Sequence, residues 1–350
     1  MDSGIRTRGQ TRRVRLWAVM SVLALVATVV PGTAALAENH VDVDVAYSWT
    51  ELTEGIAVDK VGNIFVSNSP AGELWKIAPG ASEPELFGTV AGITAPPDLG
   101  LAGLAVDAPG NVYGTVVSFT NPDINGVWKF DRKTGEATHA PGSEDMVVAN
   151  AIAFDKRGNM YVTDSAAAAV YRIPKSGGPA ELWVTDETLA GTGAFGVGVP
   201  LGANGIAYRH GALYVSVTEQ GSIVRIPILG NGGPGTPEVL VGFEPTDDPF
   251  DNPLFGIDGI ALDVHGDIYA AIIAQSAVRK ITLGAVPEVA TVAEGLPVLD
   301  TSSLAFGTGK GHRKTLFVVN YGVFSQESFG TDPRPAILEI DVGVPGMPLP

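Results

Sequence analysis

The chain has 350 residues, 22 Lys and Arg against 38 Asp and Glu, a net charge of −16, and no cysteine. So acidic a surface repels phosphate backbones and anionic lipid, which excludes nucleic acids and membrane surfaces as partners. Without thiols, neither disulfides nor a thiolate metal site can contribute.

Arg6, Arg8, Arg12, Arg13 and Arg15 open the chain, an apolar run covers residues 16–30, and Ala35-Leu36-Ala37 is a small-x-small cleavage site. This is the make-up of a secretory signal, and the run is shorter than the ~20 residues of a spanning helix. Residues 1–37 are read as a removed signal peptide and residues 38–350 as one domain, secreted or periplasmic. Losing five Arg and one Asp with the signal takes the net charge to −20.

A six-residue register then recurs. It reads Glu54-Gly55-Ile56-Ala57-Val58-Asp59, Ala102-Gly103-Leu104-Ala105-Val106-Asp107, Asn150-Ala151-Ile152-Ala153-Phe154-Asp155 and Asn204-Gly205-Ile206-Ala207-Tyr208-Arg209. It continues as Asp258-Gly259-Ile260-Ala261-Leu262-Asp263 and Ser302-Ser303-Leu304-Ala305-Phe306-Gly307. A Gly beside Asn or Asp follows most copies, as in Gly62-Asn63, Gly110-Asn111, Gly158-Asn159 and Gly266-Asp267, and reads as a hairpin turn into a second strand. An alternating third strand comes next, such as Leu74-Trp75-Lys76-Ile77, and then a fourth, such as Glu181-Leu182-Trp183.

Four short strands per copy, at spacings of 48, 48, 54, 54 and 44 residues, predict an all-β fold: a six-bladed β-propeller with four-stranded blades. The sixth copy has no good fourth strand of its own, because Gly343, Pro345, Gly346 and Pro348 break its end. Val45-Ala46-Tyr47-Ser48-Trp49 lies where a fourth strand should, ahead of the first register, and is expected to close the ring.

The first register position is the candidate site. Inner strands line the channel of a propeller, so Glu54, Asn150, Asn204 and Asp258 should converge at one mouth with two carboxylates and two amide oxygens. Such a donor set suits Ca²⁺, then Mg²⁺, and not Zn²⁺. Strand two of each blade returns to the same mouth, which makes Asn68, Asp164, Glu219 and Asn320, together with Ser302 of the sixth register, candidates for the substrate pocket. The loops over residues 188–203 and 244–257 could lid it.

With these residues in view, the chain resembles the superfamily of regucalcin, the gluconolactonases and diisopropylfluorophosphatase. The resemblance rests on a Glu opening the first blade, Asn opening the third and fourth, an Asp-Gly opening the fifth, and a sixth-blade stretch, Thr301-Ser302-Ser303-Leu304-Ala305-Phe306-Gly307 followed by Leu316-Phe317-Val318. It implies one Ca²⁺ held by Glu54, Asn150, Asn204 and Asp258, and a hydrolase of lactones, esters or phosphotriesters in which Asp258 is general base or nucleophile. The lactonase branch carries an Arg and an Asp where this chain has Val148 and Ala151, so preference for sugar lactones is not implied. The repeat is also similar to NHL-type propellers, which leaves a non-catalytic binding propeller with a structural ion as the alternative. A monomer acting on a small-molecule substrate is expected.

Other signals carry less. Gly191-Thr192-Gly193-Ala194-Phe195-Gly196 fits G-x-G-x-x-G but has no strand-to-helix setting. Gly307-Thr308-Gly309-Lys310 lacks the spacing and the following Ser or Thr of a phosphate loop. The five His show no ligand spacing, and there is no G-x-S-x-G.

Overall fold

The computed structural model describes residues 41–48, 52–94, 98–322 and 335–349. The signal reading of residues 1–37 and Trp49 of the closing strand lie outside them. The described chain forms β1 (Val43–Ser48) and then six sheets of four antiparallel strands. Blade 1 is β2 (Thr53–Val58), β3 (Ile64–Asn68), β4 (Glu73–Ile77) and β5 (Glu85–Thr89); blade 2 is β6 (Gly100–Val106), β7 (Val112–Val117), β8 (Gly126–Phe130) and β9 (Ala137–His139). Blade 3 is β10 (Ala149–Phe154), β11 (Met160–Asp164), β12 (Ala169–Ile173) and β13 (Glu181–Thr185); blade 4 is β14 (Ala203–Arg209), β15 (Ala212–Val217), β16 (Ser222–Pro227) and β17 (Glu238–Val241). Blade 5 is β18 (Ile257–Leu262), β19 (Ile268–Ile272), β20 (Ala277–Thr282) and β21 (Glu288–Glu294). Blade 6 joins β22 (Thr301–Phe306), β23 (Thr315–Asn320) and β24 (Ala336–Asp341) to β1 as its outermost strand, in the order β1-β24-β23-β22.

The hydrophobic pattern explains this layering. Second strands such as β3, β11, β15 and β19 are buried at every residue and read as continuous apolar runs with small polar insertions. Outer strands such as β5 and β13 expose about half their residues. Burial is organised between blades: Ala57, Phe65 and Leu74 of blade 1 pack on Leu101, Leu104 and Val116 of blade 2, and equivalent clusters fill the other interfaces among the described residues. At the sixth interface Ile56, Ile64 and Val66 of blade 1 pack on Phe317, Val319 and Ile337 of blade 6, with Tyr47 of β1 against them.

The small second residue of the register has a specific cause. Inner strands of adjacent blades approach backbone to backbone, so that a Cβ on Gly55 would fall on the carbonyl oxygen of Ala102, one on Gly103 on that of Asn150, and one on Gly205 on that of Asp258. At the same place each inner strand slips register against its neighbour, between Thr53 and Ile56, Ala149 and Ile152, Ala203 and Ile206, and Ile257 and Ile260. The first register position therefore sits in a β-bulge, a device that bends a strand and re-aims its side chain.

The Asp that ends the register works in the turn. Asp59 Oδ1 accepts from Val61 N and Asn63 N (both 2.9 Å), while Oδ2 accepts from Asn63 Nδ2 at 2.6 Å. Asp107 and Asp155 repeat the arrangement with Asn111 and Asn159. Gly62, Gly110, Gly158 and Gly266 all take φ between +85° and +96°, which only glycine adopts freely.

Closure of the ring follows the sequence expectation. Val43 pairs with Ile340 and Ser48 with Ala336, and Tyr47 Oη donates to Ala81 O of blade 1 at 2.7 Å. Because β1 supplies the outer strand of blade 6 and also touches blade 1, deleting residues 41–48 should abolish the single cooperative melt. Thermal unfolding followed by circular dichroism checks this; an unchanged transition would refute the closure.

Asp98, just ahead of blade 2, is a second point of strength. It is buried, yet it accepts from Thr94 N (2.9 Å), Ser118 Oγ (2.7 Å), Phe119 N (2.7 Å), Thr120 N (3.0 Å) and Thr120 Oγ1 (2.8 Å). Burial alone would raise its pKa, but the hydrogen bonds outweigh it and hold the carboxyl at about 2. A folded pKa below the unfolded value near 4 stabilises the protein by about 2 kcal/mol above that value, and the contribution disappears as pH falls toward 2. Asp98→Ala should therefore lower stability clearly at pH 7 and much less near pH 2.5, measured by urea denaturation at the two pH values.

Candidate metal centre

Glu54, Asn204 and Asp258 each hold the first register position of their own blade, with Asp258 interacting with the other two, and Asn150 holds the same register position in blade 3. Asn204 and Asp258 are buried, and Oε2 of the half-buried Glu54 is sealed from solvent. Glu54 and Asp258 face each other closely enough to interact: burial pushes the Asp258 carboxyl well above its ordinary range, and the charge of Glu54 adds to that, against a hydrogen bond from Asn204. Burial pushes Glu54 up to about 8. No Lys or Arg forms an ion pair with either among the described residues.

Hydroxyl groups fix the backbone beneath these side chains. Thr115 Oγ1 donates to Asn150 O (2.5 Å), Thr163 Oγ1 to Asn204 O (2.5 Å), Ser216 Oγ to Asp258 O (2.6 Å) and Ser302 Oγ to Glu54 O (2.8 Å). Each bond crosses from one blade to the next. Two of the bulged N–H groups are bonded within their own blades, Gly55 N to Ser67 Oγ at 2.7 Å and Ala151 N to Thr163 Oγ1 at 3.0 Å.

The amides are turned so that their nitrogens are occupied. Asn204 Nδ2 donates to Thr218 Oγ1 at 2.9 Å and Asn150 Nδ2 to Ser165 Oγ at 3.3 Å. Asn204 Oδ1 and Glu54 Oε2 are buried with no hydrogen-bond partner, and so is Oδ1 of Asn68, which pairs with Thr53 beside the Glu54 bulge. Unmatched acceptors beside two facing carboxylates are costly unless a cation or donor meets them. The donor set is oxygen only, which fits a hard divalent cation such as Ca²⁺. Among the described residues no three His, Cys, Asp or Glu side chains gather as a metal cluster. Any ion at this mouth therefore depends on the amides as well as on Glu54 and Asp258.

The other pocket residues have different surroundings. Ser302 is buried beneath Glu54 in the bond already described. Asn68 also donates to Glu73 Oε2 at 3.0 Å. Asp164 accepts from the N–H groups of Val147 (2.7 Å), Val148 (3.0 Å), Ala166 and Ala167 (both 3.2 Å), so its carboxylate holds loop backbone. Asn320 does likewise, accepting from Leu299 N (3.1 Å) and donating to Pro297 O (2.7 Å). Glu219 accepts from Thr192 N (2.6 Å), Gly193 N (2.5 Å) and Phe195 N (3.1 Å). The glycine-rich stretch is thus wrapped around a carboxylate of the protein itself. Phe195 also meets Phe255 edge-on at 5.0 Å, which joins the loops entering blades 4 and 5.

Sequence reasoning missed Tyr321. Its N–H donates to Asp300 O (3.0 Å), and its phenol is pushed above its ordinary range by burial and by the charges of Glu54 and Asp258. It lies just beyond the end of β23, at a position held by Ser69, Ser165 and Thr218 in other blades, so no pattern marks an aromatic there.

Charge divides between the two faces. The described loops at this mouth contain no Lys or Arg but carry Asp123, Glu144, Asp145, Asp247, Asp248 and Asp251. Turns at the opposite end are mixed, with Lys60, Arg132, Lys156, Arg313 and Lys314 beside Asp59, Asp107, Asp131, Asp155 and Asp263.

No protein-family model matches the sequence, and no curated protein does. Solved structures share its architecture. The calcium-binding protein regucalcin from Agrobacterium tumefaciens superposes with a TM-score of 0.62 at 17% identity, over 89% of this chain and 97% of that one. A gluconolactonase from Xanthomonas campestris gives 0.59 at 15% identity, over 87% and 89%. A PQQ-bound aldose sugar dehydrogenase from Streptomyces coelicolor gives 0.58 at 17% identity, over 87% and 99%. The expected propeller architecture is thus shared with regucalcin and gluconolactonase, and equally with an oxidoreductase of other chemistry; the likeness is one of fold.

The facing carboxylates set a pH dependence for the cation-free protein. Their folded pKa values lie above the unfolded ones of about 4, so as pH rises from there toward 8 the unfolded chain ionises first and stability falls. In chelator, the melting temperature should drop between pH 5 and pH 8, and Glu54→Gln should flatten the drop. Equal slopes for the two proteins would argue against the carboxylate pair as its source.

Proposed function

We propose that this protein is a divalent-cation-dependent hydrolase of lactones, esters or phosphotriesters. Glu54, Asn150, Asn204 and Asp258 would hold the cation, Ca²⁺ in preference to Mg²⁺. The observation that carries this reading is the burial of two facing carboxylates beside amide and carboxylate oxygens that no donor meets. When bound, the cation supplies Lewis-acid polarisation of a carbonyl or phosphoryl oxygen and the positive charge that keeps both carboxylates ionised.

The remaining work falls to the chain. Asp258 is the group placed to act on the reacting atoms, taking a proton from water at its carboxylate or attacking directly. Asn204 beside it favours the ionised carboxylate, and the bond from Ser216 to its carbonyl holds its backbone. Asp164, Glu219 and Asn320 fix loop backbone and so shape the wall. Tyr321 presents a phenol whose ionisation the two carboxylates oppose, so it acts as a donor. The acidic mouth attracts cations and repels the anionic product of hydrolysis. Export through residues 1–37 and action as a monomer on a small molecule belong to the same proposal.

A panel of lactone, aryl ester and phosphotriester substrates, with and without chelator, tests it. Chelator should abolish turnover and calcium restore it. Asp258→Asn should lower kcat by a factor of at least ~10², while Glu54→Gln should weaken cation affinity roughly 10- to 100-fold. Calorimetric cation uptake with no turnover on any substrate would favour the non-catalytic propeller with a structural ion. No uptake at all would remove the centre.

A further inference from the structure

A well-formed cavity lies away from the mouth described above. It occupies the other half of the channel, has a volume of about 460 Å³, and is lined from all six blades by the third to fifth register residues, among them Ile56, Leu104, Ile152, Ala207, Ala261 and Leu304. Residues 345–349 run along its rim, bonded through Val264 N to Pro345 O (3.1 Å), Gly346 N to Arg313 O (3.2 Å) and Met347 N to Leu262 O (2.9 Å). They place Met347, Pro348 and Leu349 in its wall. The volume falls within the roughly 300–1,000 Å³ of small-molecule sites.

Charge selects the ligand class. Lys60 and Arg313 line the same cavity, on the face that carries the protein's exposed cations. Neither is in an ion pair with a carboxylate among the described residues. The nearby Asp59, Asp107 and Asp155 have both carboxylate oxygens engaged in their own turns, and Asp263, bridged to Gly346, is fully buried with Oδ1 in its turn and Oδ2 without a hydrogen-bond partner. An apolar body in the channel with one negative group at the rim would meet both features at once. We infer that this second mouth binds an amphiphilic monoanion, with a medium-chain fatty acid as the simplest representative.

The site is independent of the cation centre, so its test does not use turnover. The full chain is titrated with the fluorescent fatty acid cis-parinaric acid and the probe is displaced with decanoate or decanol. Saturable binding of one probe per chain is expected, unchanged by chelator, with decanoate displacing it roughly tenfold more effectively than decanol. Ala261→Phe, which fills the cavity, should remove binding of both. Should that variant not fold, the double charge reversal Lys60→Glu with Arg313→Glu, on exposed side chains, should melt normally and lose the preference for decanoate. Absence of saturable binding, equal affinity for the acid and the alcohol, or a preference that survives charge reversal would each overturn the inference.

Discussion

Backbone-to-backbone contact of the inner strands is the constraint from which the architecture and the candidate centre both follow. At Gly55, Gly103 and Gly205 there is no room for a Cβ, because the next blade's carbonyl already fills the space. Strands this close cannot keep a regular ladder with their own neighbours. Each slips by a bulge at the point of contact, and the bulge leaves a carbonyl and an N–H outside the sheet pairing. Ser67 accepts from the Gly55 N–H, and Thr163, Ser216 and Ser302 donate to the carbonyls of Asn204, Asp258 and Glu54, so these groups are bonded although they leave the ladder.

The same constraint explains why acidic side chains can persist where they are costly. Glu54 and Asp258 project from bulges whose carbonyls are held by Ser302 and Ser216 of the neighbouring blades, which fixes the backbone from which the two carboxylates face each other. Rigid placement of like charges is unfavourable in isolation and useful when a cation joins them. Stability is supplied elsewhere, in the apolar interfaces between blades and in turns tied by Asp59, Asp107 and Asp155.

Much of this was legible in the sequence. The register showed the inner strands because its small-apolar-Ala pattern is imposed by strand contact and burial, and the gap in the sixth copy showed that β1 closes the ring. Other roles were hidden. Asp164 and Asn320 stand at equivalent strand ends and Glu219 two residues beyond one, but side-chain periodicity gives a face and not a partner, so their engagement with loop N–H groups could not be read. The hydroxyl position in the second strands was visible as Ser67, Thr115, Thr163 and Ser216, yet the last three take their meaning from a carbonyl of the next blade, 35 to 42 residues further along. Tyr321 stands at the position held by Ser69, Ser165, Thr218 and Ile273 in other blades, but its aromatic side chain departs from theirs.

Pairing of β1 with β24 joins residues almost three hundred positions apart, Val43 with Ile340. During vectorial synthesis the earlier blades can form from local hairpins, but the edge of β24 has no partner until the two extremities meet. Assembly is therefore gated by a single late docking event with a large loop-closure entropy. Until that event, β24 is an unprotected edge prone to pairing with another molecule, so the last step of folding is also the step most sensitive to concentration.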